Sequence, residues 1–318
     1  MKPAAVIIGR NEGDRFLACL DSLGDQFSRV VYVDSGSTDG SIAAAKAAKV
    51  EVVHLDTTVP FTAARARNAG MTHLAESDEA HDFIQFIDGD CSVQPGWIDA
   101  AMAFMIANPV AAMVCGRRRE RFPEASAYNR LIDQEWDTPC GLTLSCGGDT
   151  LGRVAALRQV GGFNPTLIAG EEPELCLRLR GAGWEIWRID AEMTLHDAAL
   201  TQFAQWWQRA RRAGYTYAEG AAMHGMPPEW YNVRALVSAL VWGLGLPVFL
   251  LASAILVSPW ALAGLLVWPL QVLRLRQRGL SGAQALFLTL GKFPESQGAL
   301  TYGWRRLLRR RAKLIEYK

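Results

Sequence analysis

The feature that most constrains this chain is an alternation of short apolar runs and helix-patterned segments across its first 110 residues. Ala4 to Ile8, Val30 to Val33, Val50 to Leu55 and Phe83 to Ile87 are short runs rich in β-branched and aromatic residues, the pattern of buried strands. Between them, Arg15 to Leu23, Ser41 to Ala48 and Ala63 to Glu76 carry helical spacing. This order predicts a mostly parallel, Rossmann-like sheet flanked by helices. Ligands of such sheets collect beyond the carboxyl ends of the strands. The polar clusters fall there: Arg10-Asn11-Glu12, Asp34 to Asp39, and Asp88-Gly89-Asp90.

The bulk properties narrow the class. With 318 residues the chain has room for one large domain and an appendage. A net charge of +1 gives no support for nucleic acid as a partner. The cysteines (Cys19, Cys91, Cys115, Cys140, Cys146, Cys176) form no CxxC pair, so neither a zinc site nor a disulfide framework is expected, and a reduced, cytoplasmic setting is. The apolar run after Lys2 is too short for a signal peptide and reads as the first strand. No G-x-G-x-x-G follows a strand, which argues against a dehydrogenase.

Composition shifts sharply near residue 230. From Ala235 to Leu273 no residue is charged, and Ser258-Pro259 interrupts the run. Ala235 to Val257 would span roughly 34 Å as a helix, enough for a hydrocarbon core of about 30 Å. Trp260 to Leu273 is shorter, and either a second span or a re-entrant return is open. Arg234 precedes the run, Arg274, Arg276 and Arg278 follow it, and Arg305, Arg306, Arg309, Arg310, Arg311 and Lys313 lie in the tail with Trp304, Leu307, Leu308 and Leu314. Positive charge at both ends favours an apolar helical hairpin with both ends cytoplasmic, followed by an amphipathic tail on anionic lipid. The expected division is a catalytic domain at 1–225, split near 110, and a membrane-associated region at 230–318, with its hairpin at about 235–273 and its tail at 281–318.

The chemistry-bearing residues come in order along the chain. Asp88-Gly89-Asp90 sets two carboxylates around a glycine after an apolar strand, an oxygen-donor set that suits Mg²⁺ or Mn²⁺ and leaves room for diphosphate oxygens. Asp34, directly after a strand, can accept hydrogen bonds from a base or ribose, while Asp39 or Ser41 caps the next helix. Glu171-Glu172-Pro173 reads as an acid-rich helix start. His54, His73, His81 and His224 have no such context and are expected to be structural.

Val6 to Glu12, Asp34 to Ser41, Ala66-Arg67-Asn68-Ala69-Gly70 and Asp88-Gly89-Asp90 together resemble the nucleotide-binding half of family 2 glycosyltransferases, inverting enzymes of the GT-A fold. Gly161-Gly162-Phe163, Gly170 to Leu175 and Arg178-Leu179 resemble their acceptor half. The ordered match covers about residues 3 to 215. It implies a nucleoside-diphosphate sugar as donor, with Asp34, Arg10 and Glu12 lining the base pocket and Arg67 near the base or diphosphate. Asp88 would lie near ribose and metal, and Asp90 would be the direct metal ligand. Glu172 matches the catalytic base, with Glu171 beside it; the family usually has Glu-Asp there, so the pair leaves the base open between them. His196, 24 residues after Glu172, would complete the metal site, and neutral imidazole suits Mn²⁺ beside carboxylates. Gly148, Asp149 and Arg153 would face the donor sugar or acceptor.

The reading is therefore an inverting transferase acting on a lipid-linked or surface-glycan acceptor at the cytoplasmic face of the plasma membrane. A catalytically impaired scaffold that binds nucleotide sugar, and a sugar nucleotidyltransferase, are the alternatives. Trp206-Trp207-Gln208-Arg209 resembles the processive-synthase element only faintly and carries no claim of processivity.

Overall fold

The computed structural model describes residues 1–76 and 80–309. The basic residues Arg310, Arg311 and Lys313, and Leu314 with them, lie outside the described residues. The chain forms two compact units, one from Met1–Ala125 with Ile132–Ala199, the other from Ser126–Leu131 with the chain from Leu200 onward.

The first unit opens as the alternation predicts. Strands β1 (Ala4–Gly9), β2 (Val30–Asp34), β3 (Glu51–His54) and β4 (Phe83–Asp88) are separated by α1 (Asp14–Leu23), α2 (Ser41–Ala47) and α3 (Ala63–Ala75). They pair in parallel in the order β3-β2-β1-β4. Burial on both faces explains why β1, β2 and β4 are near-continuous apolar runs. After β5 (Cys91–Val93) and α4 (Trp97–Ala107), the long β6 (Ala111–Glu120) leads to α5 (Ala127–Trp136), β7 (Gly141–Leu142), β8 (Thr150–Arg153), α6 (Val154–Gln159), α7 (Glu171–Gly181) and β9 (Glu185–His196). Here the sheet is mixed. β8 runs antiparallel between β4 and β6, β9 pairs parallel with β6, and β5 and β7 lie antiparallel to β9. The antiparallel strand β8 brings the second half of the unit onto the parallel half.

Register places the polar clusters side by side. Gly9 pairs with Asp34 and Ile8 with Asp88, so the ends of β1, β2 and β4 form one row. Gly70 lets α3 approach that sheet: a Cβ there would collide with Val6 and sit 3.2 Å from Val33. Asn68, on the same helix, donates to the Phe163 carbonyl (2.7 Å) and accepts from the Phe163 amide (2.9 Å). The Arg67-Asn68-Ala69-Gly70 string is thus a packing device as well as a candidate site element.

The second unit is helical. α8 (Phe203–His224) packs on α13 (Lys292–Leu307), with Gly214 facing the Glu295 backbone and Gly298 facing that of Arg211 too closely for any side chain. Between them run α9 (Val233–Leu240), a π-helical segment (Val241–Gly245) and α10 (Leu246–Leu256), together one apolar helix of 24 residues. The 3₁₀ segment Pro259–Leu266 then turns back into α11 (Val267–Gln277), and α12 (Gly282–Leu290) leads to α13.

Candidate active site

The first two loops are laced together. The Asn11 amide donates to Ser37 Oγ, the Thr38 amide donates to Asn11 Oδ1 (2.7 Å), and the Gly13 amide donates to Asp39 Oδ2. Asp34 is buried and accepts from the Tyr32 hydroxyl and the Gly36 and Ser37 amides, so its carboxylate shapes the loop that it opens. Arg10 lies over the Phe61 ring, and Glu12 pairs with Arg15 at 2.9 Å.

At the end of β4, Arg67 gathers three carboxylates. It is 1% exposed and reaches Asp88 at 2.8 Å, Glu171 at 2.8 Å and Glu172 at 2.9 Å. Burial opposes its charge, but the surrounding carboxylates more than offset that and keep it protonated. The same acids repel one another. Burial first, and then the neighbouring Glu171, push Glu172 up to about 7, against the pull of Arg67. Glu171 and Glu172 open α7 after Gly170, whose φ of 75° glycine tolerates readily. Gly148 sits against this knot, where a Cβ would collide with Arg67 and approach Asp88 Oδ2 at 2.8 Å.

Asp149, fully buried, accepts from the Asp88 amide (2.9 Å) and the Thr194 hydroxyl (2.8 Å), fixing the Asp88 backbone. Beside it, His196 Nε2 faces Asp90 Oδ2 at 3.3 Å, brought there by the antiparallel pairing of Cys91 with His196. His196 Nδ1 faces Glu120 Oε2 at 3.7 Å and makes no hydrogen bond. Burial, then the charge of Arg118, lower the His196 pKa, so the ring is neutral near pH 7. A carboxylate and a neutral imidazole facing each other across one small gap are a donor set that fits Mn²⁺. Cys91 lies close enough to join Asp90 and His196, and burial, then the nearby Asp149, push its thiol pKa up. Asp88 turns the other way, toward Arg67 and Arg118.

Of the residues singled out from sequence, Arg67, Asp88, Asp90, Gly148, Asp149, Glu171, Glu172 and His196 are brought together around the ends of β4 and β9. Arg10, Glu12 and Asp34 line the adjoining strand ends. Arg153 does not join them, which corrects its expected place by the donor sugar or acceptor. It pairs with Phe83 at the opposite end of β4, donates to the Ala111, Met105 and Asn108 carbonyls, and covers the Phe83 ring. Its guanidinium caps backbone there, and its strand partner Phe83 stands five residues of strand, or about 16 Å, from Asp88.

Sequence reading missed Arg118, Glu120 and Trp136. Strand alternation on β6 turns Arg118 and Glu120 inward, while Arg117 and Arg119 pair outward with Asp190 and Asp133. Arg118 stacks over Trp136 (4.7 Å), and Trp136 meets His196 edge-on (4.9 Å). The signal was present: Ala111 to Cys115 is another apolar run that ends in charge.

This architecture is of the GT-A glycosyltransferase type. The mannosyltransferase PcManGT of Pyrobaculum calidifontis, solved in complex with GDP-Man and Mn²⁺, matches it with a TM-score of 0.66 at 18% identity, covering 96% of this chain and 88% of that one. Residues 4–153 match the family described as Glycosyl transferase family 2. Among named relatives, the pre-mycofactocin glycosyltransferase of Mycobacterium tuberculosis is 26% identical over 247 residues, 72% of this chain and 50% of that protein. This chain thus spans about half the length of that relative. The succinoglycan biosynthesis protein ExoA of Rhizobium meliloti is 24% identical over 281 residues, 81% of this chain and 82% of that protein.

Proposed function

We propose that the protein is a membrane-attached, inverting glycosyltransferase that moves a sugar from a nucleoside diphosphate to a lipid-linked or surface-glycan acceptor. The observation that carries this reading is the knot at Arg67, with a carboxylate pair on one side and the Asp90–His196 donor pair close by. The glycosyltransferase relatives, and one named for succinoglycan biosynthesis, support the class of reaction and of acceptor.

In this reading Asp34, Arg10 and Glu12 border the nucleotide. Asp90 and His196 hold a divalent cation, as the Mn²⁺ bound to PcManGT suggests, and that cation would screen the charge of the departing diphosphate. Glu172 takes the proton of the acceptor hydroxyl as its oxygen bonds to the anomeric carbon and the bond to the nucleoside diphosphate breaks. A base that titrates near 7 is matched to that task, and Glu172 is the more exposed of the pair, 14% against 6% for its side chain. Arg67 holds the pair in place. The test is release of nucleoside diphosphate from a panel of nucleotide sugars by the purified chain with Mn²⁺. Failure to bind or turn over every donor would overturn the reading.

Attachment to membrane rests on a separate observation, the 24-residue apolar helix Val233–Leu256, of which 11% of the most apolar stretch is buried.

A further inference from the structure

The hairpin of the second unit has a definite depth. Both of its legs pass the start of α13 at one level. On the outgoing leg, Gly243 lies against the Lys292 backbone so closely that no side chain would fit. On the return leg, Trp268 stacks on Phe293 at 5.9 Å. That level is polar, because Lys292 pairs with Glu295 at 2.7 Å. What continues past it is α10 on the way out and the 3₁₀ segment Pro259–Leu266 on the way back. The 11 residues of α10 rise about 16 Å. The 8 residues of the 3₁₀ segment also rise about 16 Å. The legs match each other, and each equals about half of a ~30 Å hydrocarbon core.

The projecting part is bare and apolar. Ile255, Leu256, Val257 and Trp260 at its apex are 82%, 81%, 84% and 86% exposed, and no residue from Leu246 to Leu266 is charged. The legs hold each other, with Gly264 close against the Leu250 side chain. The turn closes its own donors. The Val257 and Ser258 amides donate to the Ser253 carbonyl, Pro259 has none, the Trp260 amide donates to Ser258 Oγ, and the Ala261 amide donates to the Ser258 carbonyl. Backbone in hydrocarbon must be satisfied internally, and an apex facing water has no such need. Arg274, Arg276 and Arg278 stand beyond the return leg, placed for anionic headgroups.

We infer that Leu246–Leu266 is a re-entrant wedge: it enters one leaflet of an anionic bilayer, turns at Val257–Trp260 near the midplane, and returns to the side from which it came. The 24-residue helix is long enough to cross a membrane, yet its first half packs one face on α13, with Val237 and Val241 half exposed, while its second half runs past the start of α13. The inference rests on the membrane-attached reading and gives it a topology.

The test uses the full-length chain with Cys140→Ser, which removes the exposed native thiol, carrying Leu256→Cys or, separately, Val257→Cys. Each is treated with a membrane-impermeant maleimide, with and without phosphatidylcholine–phosphatidylglycerol vesicles, the reagent being added outside or trapped in the lumen. The expected result is labelling without vesicles and its loss with them from both sides. Labelling by the trapped reagent would overturn the wedge while leaving attachment intact, because the hairpin would then cross. Unchanged labelling by outside reagent, with no co-sedimentation, would overturn attachment itself. Protection without vesicles would mean that a second copy covers the apex, and would overturn the lipid assignment.

Discussion

The two units handle hostile groups in opposite ways. The first buries charge and answers each charge with a partner: Arg67 with three carboxylates, Asp149 with an amide and a hydroxyl, Arg118 with Asp88 and the Trp136 face. The second leaves apolar surface bare at Ile255, Leu256 and Val257. Buried charge demands a precise counter-arrangement, so it couples distant parts of the chain. Bare apolar surface needs only a solvent that accepts it. Substitutions in the first unit should therefore change chemistry and stability together, and those at the hairpin tip should change neither.

The largest expected effect is on chemistry. Glu172→Gln should lower turnover by about 10²–10⁴-fold while donor binding persists, measured by kinetics beside calorimetry. Retained turnover would move the base to Glu171. Next, Arg67→Met should destabilise the first unit by about 3–5 kcal/mol in denaturant unfolding, because Asp88, Glu171 and Glu172 lose their shared cation. Wild-type stability in that variant would show that the knot is not needed for the fold.

Smaller effects grade the metal pair. Glu120→Gln should weaken Mn²⁺ binding by about 10–100-fold, read by titration of the ion alone, since Glu120 stands behind His196. Unchanged affinity would remove that supporting role. The pH profile of turnover follows from Glu172. A base must be ionised, and burial with the repulsion of Glu171 raises its pKa, so the rate should rise with pH and level off above about 7. A profile flat from pH 5 to 8 would break the assignment. The smallest effect closes the contrast: Leu256→Gln should change unfolding free energy by less than ~0.5 kcal/mol, because an exposed side chain loses no packing. A large loss would show that the tip is covered after all.

The strand alternation was legible because a two-sided parallel sheet writes itself as runs of apolar residues, and β1 to β4 appear where the sequence predicts them. Asp88, Asp90 and His196 were singled out through their order along the chain. Arg118 and Glu120 were not, because they lie on a strand, β6, whose two neighbours, β8 and β9, come later in the chain. Arg153 misled for a related reason. It stands four residues from Asp149, yet β8 runs antiparallel to β4 and carries it to the opposite end of β4. The hairpin run was plain in the sequence, but its depth was not, because depth depends on where α13 packs.

By itself, then, the sequence determined the kinds of groups and their order: apolar runs, acids at strand ends, and an uncharged stretch from Ala235 to Leu273. Those follow from local periodicity, which each segment carries within itself. Which groups meet was decided by the tertiary structure alone. The pairing of Cys91 with His196 and the reach of Arg67 to Glu171, 104 residues on, are long-range contacts that no local pattern encodes.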